Sequence, residues 1–251
     1  MSRWLVLRGL TREGRHWASF PERLGEATAA DSVTLLDLPG NGREIFVPAP
    51  LTVADMMRFV RAQAIAAGLT PPYRVLAMSL GGMVATDWAQ RYPQEIERLV
   101  LVNTSMRPFC AMNQRLRPAA WPALARAAMS WSAPVRCEGI IHALTCNRMD
   151  TATDDLAAWV EIRRTAGVSA ANGLRQLWAA ARFRADRRAP QCPTLLLSSK
   201  EDRLVDPVCS TRIAAAWQAA HIEHPWAGHD LPHDDPQWAT QAIVDWLRAQ
   251  R

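Results

Sequence analysis

The sequence predicts an α/β protein: a three-layer α/β/α sandwich around a mostly parallel sheet, with a helical segment inserted into it. Three observations point there. Short apolar, β-branched runs alternate with longer amphipathic stretches, the pattern of βαβ units. Two of these runs, residues 99–102 and 194–197, are apolar at nearly every position, as strands buried on both faces are. Across residues 107–190 the alternation stops, and an Ala-, Arg- and Trp-rich stretch with almost no β-branched runs takes its place.

The elements follow in order. Trp4-Leu5-Val6-Leu7 is the first strand and ends at Gly9. Val33-Thr34-Leu35-Leu36 is the second and runs into the turn cluster Pro39-Gly40-Asn41-Gly42. Residues 51–67 read as a helix, because Val53, Met56, Met57 and Val60 keep helical spacing. Thr52 suits its N-cap, with Asp55 three residues on, and Gly68 suits its exit. Tyr73-Arg74-Val75-Leu76-Ala77 is the next strand, followed by a helix that reaches Arg91 and stops before Pro93. Residues 99–102, 194–197 and 221–226 supply three more strands. A last helix starts near Asp235-Pro236 and presents Trp238, Ile243, Trp246 and Leu247. Right-handed crossovers place helices on both faces of such a sheet. Residues 1–106 and 191–251 are thus expected to form the core, and residues 107–190 a helical insertion.

Composition narrows the function classes. The 251 residues are 49% hydrophobic and 21% charged, which is ordinary for a globular protein. Basic residues number 29 and acidic ones 24, a net charge of +5. Lys200 is the only lysine, and no basic run exceeds the pairs Arg163-Arg164 and Arg187-Arg188, so a nucleic-acid partner is not expected. No apolar run approaches a membrane span, and residues 4–7 are too few for a signal-peptide core. The five cysteines, Cys110, Cys137, Cys146, Cys192 and Cys209, include no CxxC pair; free thiols in the cytoplasm are expected. Residues 107–190 hold 13 arginines against 6 acids, a balance of +7, and the remainder 16 basic against 18 acidic residues, −2. The positive charge thus belongs to the insertion. It is either a scatter of surface arginines or a field that draws in anionic substrates or an acidic carrier partner.

The sharpest local signal is Ala77-Met78-Ser79-Leu80-Gly81-Gly82, between a strand and a helix. A serine on so tight a turn is held in a strained conformation with its hydroxyl at the sheet edge, and small neighbours let the backbone pack that closely. The helix behind it favours developing negative charge. The segment matches the G-x-S-x-G nucleophile elbow with alanine for the first glycine; the alternative is a small-residue turn whose serine caps a helix. The partners are then sought in the chain order nucleophile, acid, histidine. After residues 194–197 come Asp202 and Asp206. Asp206 precedes Pro207 and reads as an N-cap with proline at the first helical position, which leaves Asp202 as the acid. His229 follows Gly228 in the loop before the last helix and is preferred over His221, His224 and His233. The alternative use of these four histidines is as metal ligands. Their spacing puts no two on one helical face, and no metal is expected.

With these segments in place, the chain resembles the α/β-hydrolase superfamily over nearly its whole length outside the insertion. Asp37-Leu38-Pro39-Gly40-Asn41-Gly42 is similar to that family's turn after the second strand, which usually ends in His-Gly. Gly228-His229 followed by Asp235-Pro236 resembles its histidine loop. The resemblance implies a shortened sheet of about six strands and makes the insertion a cap. It implies a serine hydrolase of the carboxylesterase kind, with a Ser79-His229-Asp202 triad, an acyl-enzyme, and a small to medium apolar acyl substrate. Hydrolysis of a C–C, amide or lactone bond, acyl transfer, and a non-catalytic ligand-binding member are the alternatives. The loop after the first strand is expected to give an oxyanion N–H. Many members carry His-Gly there, whereas this chain has Arg8-Gly9-Leu10. A backbone donor needs no histidine, so the expected donors are Leu10 and Leu80. Arg8 either approaches the substrate or pairs with a carboxylate, the commoner fate of an arginine. Similar enzymes that open epoxides or remove halides use an aspartate where Ser79 stands. No organic cofactor is implied. Gly9, Met78, Met106, Trp121 and Trp131 are the pocket candidates, and His142 is read as a packed or surface residue.

Overall fold

The structure is a computed structural model describing residues 3–250; Met1, Ser2 and Arg251, the outermost residues of the expected core, lie outside them. Six strands form one sheet in the order β2-β1-β3-β4-β5-β6. They are β1 (Arg3–Leu7), β2 (Ser32–Leu36), β3 (Tyr73–Met78), β4 (Ile96–Val102), β5 (Thr194–Ser199) and β6 (Ala220–His224). All five pairings are parallel. The helices between them are α1 (Phe20–Thr28), α2 (Val53–Ala66) and α3 (Leu80–Arg91). Between β4 and β5 come α4 (Met112–Arg115), α5 (Trp121–Met129), α6 (Pro134–Thr145), α7 (Ala152–Ala166) and α8 (Ala170–Arg182). The chain ends with α9 (Val208–Trp217), α10 (Leu231–Asp234) and α11 (Pro236–Ala249).

Alternation along the strands explains why their sequences are continuously apolar. Leu5, Leu7, Val75, Ala77, Leu99 and Leu101 pack into one buried cluster with Val53 and Met56 of α2, Val84 and Trp88 of α3, and Ile213 of α9. The intervening Trp4, Val6, Leu76, Val100 and Val102 pack on the opposite face with Phe20 and Leu24 of α1 and Ile243 and Trp246 of α11. Both faces are covered, so neither set of positions tolerates polarity. Each such large apolar side chain contributes roughly 1.5–3 kcal/mol when fully buried.

The local signals fall where their chemistry places them. Thr52 caps α2 by accepting from the Asp55 N–H, and Asp235 caps α11 by accepting from the Trp238 N–H. Asp206 also caps, but one residue further out than expected. Pro207 is the boundary residue of α9, and the Asp206 carboxylate accepts from Val208 N at 3.0 Å. Among the described residues no helix is long and apolar enough to cross a membrane.

The strand order reverses beside β1. The chain moves outward from β1 to β2, then returns to β3 on the other side of β1. Parallel sheets open a crevice at the carboxyl ends of the strands at such a switch point. The loop after β1 and the turn after β3 meet there.

Candidate active site

Ser79 occupies the single residue between β3 and α3, with φ 53° and ψ −119°. A non-glycine side chain in that region costs about 1–3 kcal/mol and persists only where the surroundings hold it. Here the neighbours do. Ser79 N–H donates to Val102 O at 3.0 Å, and Thr104 Oγ1 donates to Ser79 O at 2.7 Å. Close approach on both sides explains the glycines. A Cβ on Gly9 would lie 2.9 Å from Ser79 Cβ, and one on Gly81 would lie 2.5 Å from Arg8 O. The loop after β1, which leads into Leu10, therefore packs directly against the turn that Leu80 follows.

Asp202 and His229 come from the loops after β5 and β6. The Asp202 carboxylate is buried, and its Oδ1 accepts from Leu204 N at 2.7 Å and Val205 N at 2.9 Å. Its Oδ2 lies 2.7 Å from His229 Nδ1, so the imidazole is held through that nitrogen and Nε2 stays outside the contact. Asp206 has no such contact with His229 and spends its carboxylate on α9. The rival histidines are also used elsewhere. His224 Nδ1 accepts from Ala227 N at 2.9 Å, and its Nε2 lies 3.2 Å from Asp235. His221 pairs with Ser198 Oγ at 2.8 Å, and His233 faces α7.

The sequence matches the family model described as "Alpha/beta hydrolase family" over residues 5–242. The chain belongs to the α/β-hydrolase family. This hydrolase is 28% identical over 213 residues to a Klebsiella pneumoniae protein provisionally named carbamate hydrolase RutD, a match spanning 81% of this chain and 76% of that one. It is 37% identical over 95 residues to the pimeloyl-[acyl-carrier protein] methyl ester esterase of Chromobacterium violaceum. That stretch covers 38% of this chain and 35% of the relative's length. In solved structures it is similar to a thermophilic esterase from Thermogutta terrifontis, with TM-score 0.72, 24% identity and coverage of 99% and 90% of the two chains. It is also similar to the enol-lactonase of Burkholderia xenovorans LB400, with TM-score 0.75, 19% identity and coverage of 99% and 92%. At those identities the likeness is one of fold.

Several residues around the hydrolase's candidate site were not singled out by sequence. Asn103, buried after β4, donates from Nδ2 to His229 O at 2.8 Å and to Ser199 Oγ at 2.9 Å, while its Oδ1 accepts from Ser199 N. Residues 102–104 thus hold the backbones of both Ser79 and His229. The available signal was a polar pair, Asn103-Thr104, straight after a buried strand. Gln176 of α8 is fully buried. It accepts from Thr11 N at 2.9 Å and donates to Asn41 Oδ1 at 2.7 Å, clamping the loop that carries Leu10. Arg117 donates to Asp202 O at 2.7 Å. Nothing in the Ala-, Arg- and Trp-rich composition distinguished these two from their neighbours.

Arg8 pairs with a carboxylate. Its guanidinium engages both oxygens of Asp230, one of them at 2.9 Å, and the pair is buried beside Trp17. Burial alone would push the Asp230 carboxyl up, but Arg8 beside it holds it below the usual range. The pocket candidates are dispersed. Gly9 touches Ser79, whereas Met78 and Met106 are buried in the clusters on opposite faces of the sheet. Trp121 is 54% exposed at the start of α5, and Trp131 Nε1 donates to Val168 O under the Arg163 guanidinium.

Proposed function

We propose that this α/β hydrolase is a serine esterase that cleaves a carboxylic ester of a small to medium apolar substrate. One observation carries the reading: a buried Asp202–His229 pair at the same sheet edge as a serine held at positive φ on a strand-to-helix turn. In the proposed reaction His229 Nε2 removes the Ser79 proton as Oγ attacks the ester carbonyl. Asp202 holds the imidazole in the needed tautomer and stabilises its cation. The N–H groups of Leu10 and Leu80 receive the oxyanion, which the N-terminus of α3 favours further. His229 then protonates the departing alcohol, and water, deprotonated by the same imidazole, releases the acid and restores Ser79. The name of the esterase relative supports an ester as the bond cleaved.

The helices of residues 107–190 form a cap in this reading. Exposed Arg126, Arg136, Arg164, Arg175 and Arg182 give it a positive surface, and that relative acts on an ester borne by an acyl-carrier protein. Both favour an acidic carrier docking on the cap. A panel of p-nitrophenyl esters of graded chain length, with thioesters, lactones and diketones beside it, tests the bond. Turnover of the esters that is lost in Ser79→Ala is the expected result. A folded chain that cleaves no ester would instead be a ligand-binding member of the family. For the carrier, the rate on carrier-linked ester should fall steeply with added salt; a flat salt profile would leave only scattered arginines.

A further inference from the structure

Apart from Ser79, Asp202 and His229, a second set of chemically capable side chains converges on one point. His142 on α6 and Cys146 directly after it are four residues apart and share a face. His233 reaches them from α10. Ligand atoms of the three lie within 4.8 Å of one another. Asp155 of α7 adds a carboxylate, with Oδ2 3.0 Å from His233 Nε2 and 3.8 Å from His142 Nε2.

Two features separate this cluster from ordinary packing. The side chains of His142 and His233 are 3% and 8% exposed, yet the Nε2 of each is buried without a hydrogen-bond partner. The approach of Asp155 to His233 is close but not aligned for a hydrogen bond. Leaving such a nitrogen unsatisfied is costly, and two in one place call for a common partner. The second feature is the wall. Trp159 packs its ring 5.2 Å from each imidazole and shields the point from water.

We propose that His142, Cys146 and His233, with Asp155 as fourth ligand, form a binding site for a zinc-like divalent transition metal. Two neutral imidazoles, a thiolate and a carboxylate are the donors a tetrahedral zinc site takes. Thiolate and imidazole together disfavour magnesium and calcium. The charges balance: the dication meets one thiolate and one carboxylate. Binding forms the metal–sulfur bond and releases the Cys146 thiol proton to solvent, with no change of oxidation state. Burial and the nearby Asp230 and Asp234 hold that proton tightly on the free protein, and a bound cation reverses this. With four protein ligands and no open position the site is structural. It ties α6 and α7 to His233 of α10, four residues beyond His229, and is independent of the ester-hydrolysis reading. Sequence spacing suggested no metal because the ligands are drawn from three elements.

Untagged protein stripped with a chelator and titrated with cobalt(II) tests the site. One ion per chain should bind with intense four-coordinate visible bands and a sulfur-to-cobalt charge-transfer band, and zinc should displace it. Cys146→Ser should abolish the charge-transfer band. His142→Gln and His233→Gln should each weaken binding at least ~10-fold, the lower end of what even outer-sphere partners cost. Cys110→Ser should leave every spectrum unchanged, and metal-free melting curves establish that each variant folds. Absence of a charge-transfer band in the unsubstituted chain would overturn the proposal. So would a band that survives in Cys146→Ser, or affinity unchanged in His233→Gln.

Discussion

Arg8 grips both carboxylate oxygens of Asp230, the residue next to His229, and the pair is shut away from solvent. Arg8 thus fastens the loop that bears the candidate base. Arg8→Met should leave an uncompensated buried carboxylate and cost about 3–5 kcal/mol. Denaturant midpoints measure this. Replacing both partners by apolar residues, in Arg8→Met/Asp230→Leu, should recover much of the loss, since removing the whole pair strands no charge.

The two carboxylates after β5 have different work. Asp202→Asn should lower kcat on esters by about 10⁴-fold with little change in KM, because it disturbs the tautomer of His229. Asp206→Asn should leave kcat within a few-fold and remove at most about 1 kcal/mol of capping. Steady-state kinetics on both variants decides. The reverse pattern would exchange their roles.

Asn103 is a positioning residue, because it holds His229 by its backbone carbonyl and Ser199 by two bonds. Asn103→Ala should let the histidine loop drift. A displacement of about 1 Å costs on the order of 10²-fold in kcat. KM should change little, and a purely structural role would instead lower the melting temperature without selectively affecting kcat in the folded fraction.

Glu138 of α6 lies buried between Arg12 and Arg163, at 2.7 Å and 2.5 Å. Burial acts to raise its carboxyl, but the two guanidiniums outweigh this and hold it below the usual range. A carboxyl depressed in the folded state stabilises fully above its unfolded value, about 4.3, and loses that contribution as pH falls through the folded value. Glu138→Gln should therefore cost about 3–5 kcal/mol near neutral pH. The gap from the unsubstituted chain should narrow in acid, as stability measured from pH 7 down to 3 would record.

The fold was legible because its signals are local and repeated. Trp4 and Leu5 point to opposite buried faces, so the period-two pattern merges into the apolar run that marks a parallel strand. Asp202 was separable from Asp206 because Pro207 betrays a cap. What sequence could not show are contacts set by tertiary approach. Gln176 meets Asn41 across 135 residues, and Arg12 meets Glu138 across 126. The five pocket candidates are marked only by residue type and place in the chain, yet Met78 and Met106 lie in the buried clusters. Side-chain type does not say which face of an element is turned to the crevice.

Ser79 is the proposed nucleophile. Incubation with a fluorophosphonate probe, followed by peptide mapping by mass spectrometry, tests this assignment. One adduct is expected, on the peptide containing Ser79, absent from Ser79→Ala and formed far more slowly in His229→Ala. Undiminished labelling of Ser79→Ala, or no labelling of the folded chain, would contradict it.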